Sequence, residues 1–386
     1  MLGASACCAL RLRGERMLQL RGLNSFLSGV ILILIAMTCI SSQAQTRLDN
    51  PGSACAGCHR AKATSQPQTP MGRALLLLPG PDSSLKANPK LTFHKGDYTY
   101  TVETQGDNST YSVTDGKGKI SSPIHWSFGY GAQTWVFERE GKWYEGLVSY
   151  YPNIQGLDIT IGDAALTPHT LEEAFGRELL HSEPKDCFGC HATNAAQNGN
   201  LNLDSMQPGV RCEHCHVGAN THLLDSLQGQ FDSAPPKLGK MTTEDISSFC
   251  GQCHRSWEAV VRGHTRGVIN VRFQPYRLAN SKCFDGADPR ISCLACHDPH
   301  QDLVREDSSY DGKCLACHGS SAQLASAQLA SPQTASASPR PGAKSCPVSK
   351  TDCVSCHMPK MTLPGGHMKF TDHEIRVVKA GDPYPD

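Results

Sequence analysis

Aromatic residues are scarce: Phe, Trp and Tyr make up 6% of the 386 residues, and only four are Trp. A chain of this length normally buries a conventional core. With so few rings, alongside 35 Gly and 24 Pro, the interior is expected to be filled largely by something other than side chains. Net charge is lacking too, since 36 basic residues balance 36 acidic ones. That balance excludes nucleic acid as a partner, because such partners need a basic patch. Long apolar runs are missing. The stretch from Phe26 to Ile40 has 15 residues, short for a helix that spans a bilayer. It follows Arg11, Arg13, Arg16 and Arg21 and precedes Ser42-Gln43-Ala44, a small-x-small cleavage site. Residues 1–44 therefore read as a secretory signal peptide. A membrane contact is expected only if this segment stays uncleaved. Removing it leaves a formal charge of −3.

Cysteine, in contrast, is abundant, with 19 residues. Fourteen of them fall in seven Cys-x-x-Cys-His motifs. Motif 1 is Cys55, Cys58 and His59; motif 2 is Cys187, Cys190 and His191; motif 3 is Cys212, Cys215 and His216. Motif 4 is Cys250, Cys253 and His254; motif 5 is Cys293, Cys296 and His297. Motif 6 is Cys314, Cys317 and His318, and motif 7 is Cys353, Cys356 and His357. Each is the attachment signature of a c-type haem. One helical turn brings both sulfurs to the two porphyrin vinyl groups, and the next residue, a histidine, reaches the iron. Paired Cys-x-x-Cys units also build zinc sites. The odd number of motifs, the histidine after every pair and the export signal all oppose that reading.

The fold expected is therefore a multihaem cytochrome c: mainly short α-helices and loops wrapped around seven covalently attached haem c groups (iron), with an inserted β-rich module. Haem propionates would make the holoprotein acidic, which favours partners with basic docking faces. Redox partner proteins are expected, either other cytochromes or a membrane quinol-linked donor. Export places the protein in the periplasm or at the cell surface. Outside the signal, Cys283 and Cys346 remain. One disulfide between them is expected in an oxidising compartment; two unpaired thiols, or Cys283 as a haem ligand, are the alternatives.

The motifs divide the chain. After the signal peptide, 45–85 forms a haem 1 segment. The β-rich insertion covers 86–165, where Tyr98, Tyr100 and Val102 alternate with polar residues. Glu140-Gly141 reads as a hairpin turn, and Trp126, Trp135 and Trp143 lie in this stretch. Packing against the haem core is its plainer role, and docking or substrate access the sharper one. Residues 166–318 hold the haem 2–6 core. There Thr170-x-x-Glu173 makes a capping box, starting a helix expected to run past Leu179 and end at Pro184. Residues 319–345 are a low-complexity linker, and 346–386 form the haem 7 tail.

A sixth ligand makes a haem iron a pure carrier, whereas an open site makes it a candidate catalyst. Histidines outside the motif ends supply candidates. His181, His222, His264, His300 and His373 lead by their context near motifs. His367 competes for the tail, His94, His125 and His169 are weaker, and His214 is strained against its own iron. Met71 is offered to haem 1. The function expected is electron transfer through closely spaced, mostly bis-His haems. The alternative is a multihaem oxidoreductase with one five-coordinate haem acting on a small nitrogen or sulfur compound, with haem 1 or haem 7 as the open site.

Several phrases carry a resemblance. Gly209-Val210-Arg211-Cys212-Glu213-His214-Cys215-His216, followed by His222, resembles haem segments of the nitrifier tetrahaem cytochrome c family, within the hydroxylamine oxidoreductase-type multihaem superfamily. Arg290 to His300, and Cys353 to Lys360 followed by Phe370-Thr371-Asp372-His373, are similar to large exported members of that group. The resemblance covers roughly 165–386 and the first motif. It implies closely stacked haem pairs and distal histidines at His222, His300 and His373. Two features depart from the enzymes of the group: no Cys-x-x-Cys-Lys motif is present, and no tyrosine is identifiable as a haem crosslink.

Overall fold

The computed structural model describes residues 54–78, 80, 84–319, 346–379 and 381–385. The signal peptide and nearly all of the low-complexity linker lie outside them. From Cys55 onward the chain clusters into one unit.

Its first half is built from strands, all paired antiparallel. β2 (Lys90–Lys95), β3 (Tyr98–Gln105), β4 (Asn108–Thr114) and β5 (Lys119–Pro123) form a four-stranded meander. β6 (Trp126–Phe128), β7 (Thr134–Arg139) and β8 (Lys142–Gly146) belong to a second sheet of order β1-β6-β7-β8-β11. Its edges are β1 (Leu75–Leu77) and β11 (Gly176–Leu179). So this sheet draws strands from both sides of the segment read as the insertion. β9 (Val148–Tyr151) and β10 (Gly156–Ile159) make a separate hairpin. The structure is thus richer in sheet than short helices and loops alone would suggest.

The alternation read in β3 is physical: Tyr100 and Val102 are fully buried between the sheets with Tyr111, Trp135 and Phe175. The turn at Glu140-Gly141 forms with both residues at positive φ, 55° and 74°. That geometry matches the right-handed twist of a two-residue hairpin and suits glycine. Gly176 is needed for a different reason: a Cβ there would stand 2.3 Å from the Glu145 carbonyl oxygen across the β8–β11 pair.

The helix after Thr170 is shorter than expected. Thr170 caps it, its hydroxyl accepting from the Glu173 amide, but it spans only Leu171–Phe175. Gly176 then extends the backbone into β11, so Leu179 lies in a strand and not in a helix. Pro184 opens the next helix, Glu183–His191, instead of closing the previous one. Proline fits there because the first helical N–H has no partner to lose. From motif 3 onward the chain is short helices and 3-10 turns, with one small hairpin, Lys360–Thr362 against Lys369–Thr371. Among the described residues no helix is long and apolar enough to cross a membrane.

Candidate haem-attachment array

Six motif helices among the described residues present the cysteine pair one turn apart, Cys212–Cys215 of motif 3 being one of them. Ser292 caps the turn Cys293–Cys296 by accepting from the Ala295 amide, and Thr242 caps Thr243–His254 through the Asp245 amide. The helix Glu183–His191 carries motif 2, Asp311–His318 carries motif 6 and Cys353–His357 carries motif 7. Motif 7 has no cap of its own. Its Asp352 and Cys353 amides both donate to the Asp311 carboxylate at 2.8 Å. Burial would raise the Asp311 carboxyl, but these amides hold it below the ordinary carboxylate range. Asp311 therefore joins motif 6 to motif 7, a role that no motif signals.

Thiols meet across motifs. Cys55 faces Cys212, Cys190 faces Cys253, Cys250 faces Cys293 and Cys314 faces Cys353. Cys215 lies within electrostatic range of Cys250 and Cys253, and Cys296 within range of Cys314. The attachment points therefore run in a connected series through motifs 1, 3, 4, 5, 6 and 7, with motif 2 joined beside motif 4. In the chain before attachment, the acceptors Cys190 and Cys212 are drawn down to about 7 by the thiols that face them. Cys187 and Cys314 are pushed up to about 12, first by burial.

Three of the motif histidines are held in one tautomer. The His191 Nδ1–H donates to the Ala74 carbonyl at 2.9 Å, and that of His357 to the Arg376 carbonyl at 2.9 Å. The His254 Nδ1–H reaches Gln274 Oε1 at 3.2 Å. A partner at Nδ1 orients the ring and leaves Nε2 as the basic nitrogen for a metal. Burial lowers the pKa of His191, His254 and His297, which keeps these imidazoles neutral as ligands must be.

Two ring pairs join a motif histidine to a second one among the described residues. His216 and His300 stand 6.2 Å apart between ring centres, at 15°. His297 and His373 stand 6.3 Å apart, at 44°. With a metal–nitrogen bond of about 2.0 Å and roughly 1.1 Å from nitrogen to ring centre, two imidazoles on one iron lie about 6.2 Å apart. The residues therefore fit an iron held between each pair. The His300 Nδ1–H is turned to Asp298 Oδ1 at 2.9 Å, and that of His373 to the Thr371 carbonyl at 3.0 Å. Burial lowers the His373 imidazole to about 4.

The other candidates sit elsewhere. His181 and His264 are exposed, both at positive φ. His181 lines a surface cavity of about 360 Å³ with Trp143, Lys185 and Asn200. His222 lies half-buried on the helix Ala219–Leu227, its Nδ1 3.4 Å from Ser226 Oγ. His367 Nε2 meets Asp158 Oδ2 at 2.6 Å, which ties the tail to the β9–β10 hairpin. His94 pairs with Thr99 on the β2–β3 ladder, His125 packs edge-on to Trp126, and His169 is exposed. Met71 is half-buried, and its carbonyl accepts from Ala74 and Val210. The expected Cys283–Cys346 bridge is not formed; Cys346 accepts the Ser349 amide at 3.5 Å. No cluster of three or more His, Cys, Asp or Glu is placed to hold a bare metal ion among the described residues.

The β sheets lie directly against motif 2. Phe188, between its cysteines, is fully buried in edge-to-face contact with Trp126 (5.4 Å), Phe128 (4.9 Å) and Trp143 (5.7 Å). Phe128 also packs on the His191 ring at 5.4 Å.

The family model described as "Cytochrome c554 and c-prime" matches residues 167–217, the stretch that holds motifs 2 and 3. No curated protein matches. Among solved structures, the chain is similar to the one titled "Crystal Structure of Outer Cell Wall Cytochrome OcwA". The identity is 14% and the TM-score 0.37, over 84% of this chain and 78% of that one. The repeated attachment motifs, and a c-type cytochrome match over two of them, support a multihaem c-type cytochrome, a class in which haem c is bound covalently.

Proposed function

We propose that this chain is an exported heptahaem electron carrier whose haems are mostly bis-histidine ligated. The observation that carries this reading is the spacing of His216–His300 and His297–His373, which suits one iron per pair. His59, His191, His254, His318 and His357 would supply the proximal ligands of the remaining haems. Bound haem supplies one-electron oxidation and reduction, and bis-His ligation sets a low potential. The protein's own work is to fix the His191, His254, His357, His300 and His373 imidazoles by Nδ1 partners and to hold the attachment points close together. That contiguity supports a relay with redox partners at the surface, and export would supply the compartment in which the haems are attached.

The test is low-temperature EPR of the ferric holoprotein with haem counting by mass. Seven haems, low-spin and unmoved by cyanide, nitrite or hydroxylamine, are expected. His300→Ala and His373→Ala should each turn one haem per chain high-spin. A wild-type high-spin haem that shifts with a small ligand would overturn the carrier reading in favour of an oxidoreductase. Variants that stay fully low-spin would overturn these two ligand assignments.

A further inference from the structure

We propose that Arg277 and Asp372 form a buried clamp that positions His373, and that Arg277 is a positioning residue for that ligand. This rests on the reading of His373 as the partner of His297 on one iron.

The clamp has three parts. Arg277, on the helix Gln274–Ala279, is 1% exposed and Asp372 is 0% exposed. They meet through two parallel bonds, Nε to Oδ1 at 2.8 Å and Nη2 to Oδ2 at 3.0 Å. The same guanidinium meets Glu374 at 2.6 Å and donates to the Pro385 carbonyl at 3.1 Å, under the Tyr384 ring at 4.5 Å. So the residues on both sides of His373 are fixed by one cation. Ser281 completes the hold: its hydroxyl donates to the His373 carbonyl at 3.2 Å and accepts the Ile375 amide at 2.8 Å.

A buried ion pair gains little stability over an apolar pair of the same size. Its planar, two-pronged geometry does give direction. Here that direction fixes the backbone from which the His373 ring points at His297. The clamp reaches a second motif as well. Arg376 bonds Asp372 at 2.5 Å, its amide donates to the His357 carbonyl at 3.2 Å, and its own carbonyl takes the His357 Nδ1–H. One tail segment thus orients the sixth ligand at motif 5 and the fifth ligand at motif 7.

The test compares Arg277→Lys, the double variant Arg277→Met with Asp372→Asn, and His373→Ala, each as holoprotein. Arg277→Lys keeps the charge and loses the two-pronged contact. The readout is quantified ferric EPR, with haem content by mass and folding by circular dichroism. Both clamp variants are expected to keep their haems and fold, yet show a high-spin signal approaching one haem per chain. The signal should be larger in the double variant and reversed by added imidazole. Clamp variants that stay low-spin beside a high-spin His373→Ala would overturn the clamp alone. A low-spin His373→Ala would overturn the ligand assignment, and the clamp with it. If the double variant loses haem, Arg277→Lys decides: low-spin overturns the clamp, high-spin supports it.

Discussion

Phe188→Ala would show whether the β sheets and the motif region are one cooperative body. Phe188 is 0% exposed and is gripped by three rings of the second sheet, Trp126, Phe128 and Trp143. Truncating a buried Phe costs about 3–5 kcal/mol, because transfer energy is lost and a cavity remains. Each edge-to-face pair adds about 0.5–1.5 kcal/mol, part of it already inside that figure, so a loss near 4 kcal/mol is expected. With an unfolding entropy of about 2.1 cal/mol/K per residue over the unit Cys55–Asp386, each kcal/mol is worth roughly 1.4 °C, so the melting temperature should fall by about 6 °C. The assay is thermal unfolding followed in parallel by far-ultraviolet circular dichroism, which reports the sheets, and by the Soret band, which reports the haem environment. Both transitions should move together, since Phe188 sits between the motif 2 cysteines and inside the aromatic cluster. Phe188→Leu keeps most of the volume and should cost about 1–2 kcal/mol. A sheet transition that moves by less than about 2 °C in Phe188→Ala would refute the reasoning. So would a Soret transition that moves alone.

Two further predictions follow. Asp163 is buried, its Oδ2 has no hydrogen-bond partner, and burial followed by nearby Glu145 raises its carboxyl to about 6 from an ordinary 3.8. The folded chain thus binds this proton more tightly than the unfolded one. Its contribution is fully present below the unfolded value and is lost as pH rises through about 6. Stability should therefore decline from about pH 3.8 to about pH 6 by at most about 3 kcal/mol. Asp163→Asn should flatten that decline in denaturant titrations, and an unchanged slope would refute the assignment. Cys346, drawn below the ordinary thiol range by the Ser349 and Val348 amides, should take a maleimide label at neutral pH without prior reduction. Labelling only after reductant would restore the disulfide.

Local chemistry was legible and distant pairing was not. The Glu140-Gly141 turn, the Thr170 cap and the buried face of β3 each depend on neighbours a few residues away, so the sequence states them outright. The helix expected to pass Leu179 failed because Gly176 lies against the Glu145 carbonyl, a contact made only when β11 pairs with β8. Leu75–Leu77 looked like part of a haem 1 segment, yet it closes the sheet edge beside Trp126. Among the histidines, context near a motif was an uneven guide. His300 and His373 stand where a ring pair forms, whereas His181 and His264 stand on the surface. The ring pairs cross between motifs, so a histidine's distance in sequence from the nearest Cys-x-x-Cys-His carries little information about which iron it faces. Asp311 and Arg277 had no motif at all, since an acid or a guanidinium becomes a cap or a clamp only when remote amides and carboxylates arrive.

Those crossings bear on how the molecule is put together. The His216 ring of motif 3 stands beside His300, which follows motif 5, and the His297 ring of motif 5 stands beside His373, which follows motif 7. Motif 7 in turn takes its helix cap from Asp311 at the start of the motif 6 helix. Motif 1 touches motif 3 across the whole β-rich stretch, through Cys55 and Cys212. No break in the chain after motif 3 or motif 5 leaves a set of motifs whose partners are all present. Contacts of such long sequence separation form late, because loop closure has to precede them. On the proposed reading, the first haems attached would wait with incomplete coordination until the tail folds back. On the same reading the 346–386 segment is the closing piece of the array, and the buried Arg277–Asp372 contact gives it its direction.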